Sequence, residues 1–346
     1  MRNKIAGSLY GAAIGDAMGA VTEGMSAEQI LDRFGEEVTG FLEPLPETPS
    51  YGRVAGQATD AFSIPYFFLQ ELGICAREEE DISSIAEKAL MHWGKSEYFE
   101  PFAGMTTRKV ISRLNSMDKI GDWDYAGHLG NKLFKSHYYA LSSNGAATKA
   151  FPAGLLSRGN VDTAIKYAME ISLSSHDDPY SISGACAVAA AVSEALNSDS
   201  STYKIVQAGL YGAKQGESLA RQWDGIFVYP GPSVLKRIEM AIEIGLHAGD
   251  SNRIMQELRD KIGCGPAIAE TVPASFGILI AAQAKTMECI IRGVNIGDET
   301  SAVASIVGGI SGCFRGVESL PEDYRDMVER QNGFDFKKLE KIIMQK

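Results

Sequence analysis

The side chains whose type and spacing could do chemistry fall in a few short stretches. In the first, a Pro- and Gly-rich loop from Pro44 to Gly56 gives way to an apolar run, Ile64 to Leu72, with Thr59 and Asp60 at the junction. Such a junction admits two readings. One of the pair caps a helix through a side-chain oxygen, or both are half of a hard-cation site, which needs six or more oxygens. The missing half has a candidate near the other end of the chain, in Gly297, Asp298, Glu299, Thr300 and Ser301. Asp16 and Glu23 lie in and just beyond an apolar N-terminal run. They are a buried cap and a solvated acid, or they are ligands, because carboxylates on such a helix are hard to bury unpaired. Asn144 and Gly145 mark a turn opening a run of small residues. This is an ordinary turn or a helix start whose exposed N–H groups hold an anion. His176, Asp177 and Asp178 form a polar cluster that reads as a metal site or as an interhelical loop with Asp capping.

Helices must position these groups. Gly7, Gly11, Gly15 and Gly19 recur every fourth residue within 5–20. Glycine costs about 1 kcal/mol relative to alanine inside a helix, so the stripe predicts close approach of another backbone. The spacing predicts a helix over 26–34 capped at Ser26, with Glu28 and Gln29 in its first turn. A long loop covers 35–56, and a helix 59–73 follows. Ile82, Ile85, Ala86, Ala89, Leu90 and Trp93 define an amphipathic helix on which His92 reads as structural. Further helices are expected over 104–115, 161–173, 183–196, 203–223 and 233–248. A long apolar helix should open near 264–275 and reach about Ile291, and a glycine-spotted helix should cover 302–316, much like 5–20. Sustained period-two alternation is absent, and 223–232 is the main place for short strands. The expectation is one all-α domain over residues 1–346, without a solenoid repeat. Its charged helical tail, 321–346, should pack on the outside.

Composition limits the alternatives. The chain has 346 residues, 45% hydrophobic and 22% charged, as in ordinary globular proteins. A net charge of −11 argues against nucleic acid and anionic membranes as partners. Cys75, Cys186, Cys264, Cys289 and Cys313 form no CxxC pair, which suggests reduced thiols in a cytoplasmic protein. No signal peptide and no run of membrane-spanning length is visible.

Taken in order, the motifs resemble those of the ADP-ribosylglycohydrolase family, which includes dinitrogenase reductase-activating glycohydrolases, ADP-ribosyl-arginine and ADP-ribosyl-serine hydrolases, and J1 crystallins. The similarity spans roughly residues 4–320. It is carried by Gly11 to Gly19 with Glu23, by Thr59 and Asp60, by Asn144 to Ala147 with Pro152, by His176, by Glu270 to Ala274, and by Gly297 and Asp298. The resemblance implies a compact orthogonal multi-helix fold with two Mg²⁺ ions in a central cleft. It implies metal-assisted hydrolysis of an N- or O-glycosidic bond at the ribose anomeric carbon of a small ribosyl, ADP-ribosyl or ribonucleoside-like substrate. Carried onto this chain, it makes Glu23, Asp60 and Asp298 catalytic. Asn144, Gly145 and His176 become substrate-binding, and Thr59, Asp60, Asp298 and Ser301 metal ligands. The chain departs from the family pattern at Ala61 and Thr300, which stand where the motifs carry Asp ligands. One Mg²⁺ or none is therefore an alternative to two, with Glu299 available for recruitment. The competing function is a noncatalytic member that binds a ribose-containing ligand. A structural, crystallin-like role has no positive feature here, and the sequence carries no signal for an oligomeric state.

Overall fold

A computed structural model describes residues 1–75, 80–116, 142–226, 228–247 and 250–346. The N-terminal part holds α1 (Arg2–Gly19), α2 (Ala27–Phe34), α3 (Asp60–Ile74), α4 (Ile82–Trp93), the one-turn α5 (Phe99–Phe102) and α6 (Met105–Ser116). The middle holds α7 (Gly145–Leu156), α8 (Val161–Leu173), α9 (Pro179–Leu196), α10 (Thr202–Gln222), α11 (Val234–Leu246) and α12 (Ser251–Lys261). The chain closes with α13 (Ile268–Ala281), α14 (Thr286–Asn295), α15 (Thr300–Arg315), α16 (Glu322–Asn332) and α17 (Phe336–Gln345). The fold is all-α, as expected. Among the described residues the one β feature is an isolated antiparallel bridge between Ser143 and Ala267, so the described part of 223–232 holds no strand.

Two helices rich in small residues set the geometry. The glycine stripe of α1 lies directly on the backbone of α15, running antiparallel to it. A Cβ added at Gly7, Gly11 or Gly15 would stand 2.2 Å from the carbonyl oxygen of Gly312, Gly308 or Ala304 respectively. At Gly19 it would meet the Ser301 backbone at 2.6 Å. Real side chains do not tolerate such distances, so the close approach read from the stripe is met by α15. The antiparallel pairing brings the C-terminal end of α1 to the start of α15. Glu23 follows the first and Glu299 immediately precedes the second.

The rest of the core builds outward from this pair. Helix α9 is buried on almost every face, and α7, α8 and α10 pack around it. Small side chains such as Gly184, Ala187 and Ala190 let it sit among neighbours on all sides. Helix α2 starts with the expected capping box between Ser26 and Gln29. His92 pairs with Glu71 at 2.7 Å, the structural role expected of it. All five cysteines are free and buried.

Two expectations are corrected. The apolar stretch after residue 264 is two helices, not one. Gln283 and Ala284 adopt positive φ (51° each), and Arg315 donates to both their carbonyls, at 2.9 and 3.1 Å. Neither glycine nor proline marks this break. The long-range arginine contacts hold the turn. The C-terminal tail is also no outer layer. Phe334 and Phe336 are buried against Phe62, with ring centroids 5.3 and 5.6 Å away. Asn332 Oδ1 accepts from the Ala58 N–H (2.8 Å) while its Nδ2 donates to the Gly56 carbonyl (2.9 Å), fixing the loop before Thr59.

The backbone contact between α1 and α15 makes a sharp test. Gly11→Val should destabilise the fold by about 3 kcal/mol or more, because the clash is with backbone that cannot rotate away. Gly104→Ala, where an added Cβ meets nothing within 4 Å, should change stability by less than about 0.5 kcal/mol. Denaturant melts of the two variants check the contrast, and equal effects would show that the stripe is not in contact.

Candidate functional site

Asp16 is the first element of the site. It is fully buried on α1, yet its carboxylate is saturated with donors from another helix. It accepts from the Thr59 N–H at 2.9 Å, the Thr59 hydroxyl at 2.6 Å and the Phe62 N–H at 2.9 Å. The Thr59 hydroxyl in turn accepts from the Ala61 N–H at 3.2 Å and so caps α3. Asp16 therefore caps α3 directly at the Phe62 N–H as well as through Thr59, and the carboxylate has a structural role that the N–H groups of a helix start favour. Burial pushes it up to about 7 even so, because three hydrogen bonds and the nearby Arg53 only partly offset the loss of water. The Ser63 hydroxyl adds a bond to the Thr59 carbonyl (2.6 Å) and accepts from the Trp93 indole N–H (2.9 Å).

With the start of α3 held this way, the next residue, Asp60, faces two other acids. Burial pushes Asp60 up to about 7, and the charges of Asp16 and Glu299 add to the effect. Glu23 is raised well above the ordinary carboxyl range by burial, then by Glu299, with Asp60 and Asp16 contributing. Its carboxylate is held by the Ser301 N–H of α15 at 3.2 Å. Glu299 is raised by burial and fixed by the Asn144 side-chain amide, which donates to it at 2.8 Å and to the Thr271 hydroxyl at 3.2 Å. Glu23, Asp60 and Glu299 thus form one half-buried acidic cluster in which Glu299 raises both Glu23 and Asp60, and the adjacent Asp298 raises Glu299.

A basic and polar network borders the acids. Lys149 is buried on α7, and burial brings its amine down to about 7 despite the opposing pull of Asp60. It donates to the Ser175 hydroxyl and lies 3.5 Å from His176 Nδ1. His176 is buried, bonded to Ser175 through Nδ1 (2.9 Å) and to Ser143 through Nε2 (2.8 Å). Burial and Lys149 push its pKa well down, so its ring is neutral at physiological pH. Beyond it, Asp178 caps α9 by accepting from the Tyr180 and Ser181 N–H groups at 3.0 and 2.9 Å. Of the two readings of the His176 loop, capping describes Asp178.

The architecture and the ordered acids can be set beside known proteins. The ADP-ribosylglycohydrolase family profile matches residues 1–345. The chain belongs to the ADP-ribosylglycohydrolase family. Among its relatives is the protein YegU of Escherichia coli K12, 24% identical over 342 residues covering 96% of this chain and 94% of YegU. An Archaeoglobus fulgidus protein is 26% identical over 328 residues, covering 90% and 88%. ADP-ribosylhydrolase ARH3 of Bos taurus is 24% identical over 347 residues, covering 94% and 89%. A solved structure described as an ADP-ribosylglycohydrolase-related protein complex superposes with a TM-score of 0.63 at 16% identity, covering 99% of this chain and 96% of that one. That likeness is one of fold.

Within this ADP-ribosylglycohydrolase frame, the sequence-derived site residues separate. Glu23 and Asp60 come together, and Asn144 reaches the same cluster. Gly145 opens α7, and His176 lies behind it through Ser143. Asp298 stands at the edge of the group, where its charge raises Glu299. It is exposed, at φ 57°, and its carboxylate lies beside Glu270, both near the Cβ position of Gly265 (3.1 and 2.8 Å). Its backbone is engaged as well: the N–H donates to the Met25 carbonyl (2.8 Å) and the carbonyl accepts from the Gly24 N–H (2.9 Å). The acid that faces Glu23 and Asp60 is its neighbour Glu299. Thr300 is turned away from the cluster. It is fully buried, donating to the Gly19 carbonyl at 2.8 Å and accepting from the Thr22 hydroxyl at 3.0 Å. It points into the α1–α15 contact, so a carboxylate there would not meet the acidic cluster. Lys149 was missed by the sequence reading, although a lone lysine in the apolar stretch 146–156 was the available signal.

These residues do not fit a two-ion Mg²⁺ centre. Ala61 offers no side-chain oxygen, Thr300 is turned away, and the Thr59 hydroxyl is engaged by Asp16 and Ala61. Among the described residues, no three His, Cys, Asp or Glu side chains are grouped as ligands of one ion.

The raised carboxyl groups carry a signed consequence. Between the unfolded value near 4 and a folded value of about 7 for Asp60, the native state binds more protons than the unfolded state, so stability falls as pH rises. Lys149, lowered to about 7, acts oppositely above that pH, where stability recovers as pH rises. Thermal melts in chelator should therefore show a decline in Tm from pH 5 to 7. Asp60→Asn should reduce that decline and melt a few degrees higher than the parent at pH 7. A lower melting point for the variant at pH 7 would contradict the placement of Asp60 among unpaired acids.

Proposed function

We propose that the chain is a glycohydrolase that cleaves the bond between the ribose anomeric carbon and a nitrogen or oxygen leaving group, on an ADP-ribosyl or ribonucleoside-like substrate. The observation that carries this reading is the juxtaposition of Glu23, Asp60 and Glu299, drawn from three distant parts of the chain into one half-buried cluster. Structure for its own sake would not gather acids that raise one another, whereas glycoside chemistry uses such an arrangement. Membership of a hydrolytic family and similarity to an ADP-ribosylhydrolase support the substrate class.

In the reaction, Glu23 has the environment of a proton donor. Its carboxyl is raised by burial and neighbouring acids, and the Ser301 N–H fixes its direction. As the C1′–N or C1′–O bond breaks, the leaving group departs with the electron pair and takes the Glu23 proton. Positive charge developing on the sugar is stabilised by the anionic forms of Asp60 and Glu299. Water adds its oxygen to C1′ and gives up one proton, which restores Glu23. Asn144 holds Glu299 in place, and the neutral His176 and Ser143 border the ribose without adding charge. No step is routed through a metal ion, and we propose at most one Mg²⁺ per chain, because Ala61 offers no side-chain oxygen and Thr300 is turned away from the cluster.

One observation favours a second reading. Ala61 is buried and apolar where the family motif carries an acid, which suits a member that binds ribose without cleaving it. A hydrolysis screen of ADP-ribose conjugates and ribonucleosides, with and without Mg²⁺, separates the two. Turnover is expected, with Glu23→Gln and Glu299→Gln each lowering kcat by about 10²-fold and Asp298→Asn by less than tenfold. ADP-ribose binding with no turnover of any substrate would leave the noncatalytic reading, and a larger loss from Asp298→Asn than from Glu299→Gln would return the role to Asp298. Calorimetric titration with Mg²⁺ should find no more than one ion per chain. Two tight sites would overturn this reading of the ligand set.

A further inference from the structure

His176 is bonded on both ring nitrogens, to the Ser175 hydroxyl at Nδ1 (2.9 Å) and to the Ser143 hydroxyl at Nε2 (2.8 Å). A neutral imidazole carries one proton, so one nitrogen donates and the other accepts. Two hydroxyls would serve either arrangement, and what lies behind Ser175 decides between them. There the buried Lys149 amine contacts the Ser175 hydroxyl and stands 3.5 Å from Nδ1 itself. An ammonium has hydrogens to give and no lone pair to receive with. Ser175 therefore accepts from Lys149 and gives its own hydrogen to Nδ1. The ring proton is left on Nε2, which donates to Ser143.

The far end of this relay is open. Ser143 Oγ already accepts from Nε2, and the hydrogen of the Ser143 hydroxyl has no acceptor among the described residues. Ser143 and Gly145 are half-buried, whereas Ser142, Asn144 and Ala146 are buried, so the two share the accessible side of the segment. Among the described residues, a Cβ placed on Gly145 would meet only Ser143 Oγ, at 3.6 Å, and His176 Cε1, at 3.9 Å. The space over Gly145 is thus unfilled, with the Ser143 hydroxyl at its border. It adjoins the acids, because Asn144, between the two residues, carries Glu299. With the ring proton on Nδ1 instead, the Ser143 hydroxyl would spend its hydrogen on Nε2 and offer this space only lone pairs.

We infer that the relay from Lys149 through Ser175 and His176 makes the Ser143 hydroxyl a one-way hydrogen-bond donor to the substrate, with Lys149 as its positioning residue. The group received at Ser143 is an acceptor oxygen, on a phosphate or on the sugar, and a donor-only group such as an ammonium is refused there. The contact with substrate rests on the reading of the neighbouring acids as a ribosyl hydrolase site. The position of the ring proton does not.

NMR of the full chain with nitrogen-labelled histidine, read by long-range proton–nitrogen correlation, reports which ring nitrogen is protonated. The His176 signals are assigned by their loss in His176→Gln. The parent should show the Nε2–H form, and Lys149→Met should shift it towards Nδ1–H. An Nδ1–H ring in the parent, or a ring unchanged in Lys149→Met, overturns the relay. Isothermal titration with ADP-ribose and with ADP, which lacks the terminal ribose, tests the contact without turnover. Ser143→Ala should weaken ADP-ribose about tenfold, the scale of a hydrogen bond to a charged or strongly polar acceptor. An equal loss for ADP places the accepting oxygen on a phosphate, and a loss confined to ADP-ribose places it on the terminal ribose. ADP-ribose binding unchanged in Ser143→Ala overturns the contact. Lys149→Met should also weaken ADP-ribose, yet add less than twofold on top of Ser143→Ala, because the two act along one path. Full additivity would show that Lys149 acts elsewhere and overturn its positioning role. Should Lys149→Met fail to fold, the ring proton of the parent and Ser143→Ala decide. An Nε2–H ring in a parent that binds neither ligand would leave the relay standing and overturn the substrate contact together with the ribosyl reading.

Discussion

The backbone-to-backbone contact of α1 and α15 is the constraint on which the site depends. Each glycine in α1 costs helix stability relative to alanine, roughly 1 kcal/mol. In return the two helices approach until carbonyl oxygens of one occupy the space where side chains of the other would be. Close packing then replaces lost propensity with many short dispersion contacts. A contact this tight permits little sliding or rotation, since any shift brings backbone onto backbone. Groups within a turn of the contact inherit its precision. Thr22 and Thr300 lock it through hydroxyls, Glu23 reaches the Ser301 N–H, and Glu299 is delivered opposite.

Asp16 extends that precision to the third acid. A carboxylate buried on one helix accepts three hydrogen bonds from the start of another, so α3 is oriented by α1 rather than by its own loop. The tail reinforces the arrangement from the other side, with Asn332 holding Gly56 and Ala58. Asp60 thereby enters the cluster with little freedom. Preorganised acids of this kind suit a reaction in which positive charge develops at a fixed point, because no reorganisation is required as it forms.

The cluster also explains why Lys149 and His176 are buried. Burial pushes both Lys149 and Asp60 towards their neutral forms, while their opposite charges partly restore the ionised pair. His176, next to that amine and bonded on both nitrogens, stays uncharged and acts as a bridge between Ser175 and Ser143. The bond network runs from α7 through this histidine to the loop preceding Asn144, so the residue that positions Glu299 is itself positioned from behind.

Much of this was legible in the residues. The four-residue glycine repeat announces a backbone contact, the helix periods announce an all-α fold, and the order of acidic motifs along the chain announces the family, because each signal is local or depends only on spacing. Which acid faces the cluster was not legible. Asp298, Glu299, Thr300 and Ser301 are consecutive, and a single positive φ at Asp298 turns its side chain outward and Glu299 inward. Nor did the stretch after residue 264 reveal its break, which is held by Arg315, about thirty residues away. The apolar character of Phe334 and Phe336 likewise did not say that they would reach Phe62. Sequence by itself determined the helices and the inventory of chemical groups, through short-range periodicity and residue type. Tertiary structure alone decided which groups meet, because that depends on helix ends, turn conformations and contacts between residues far apart in the chain.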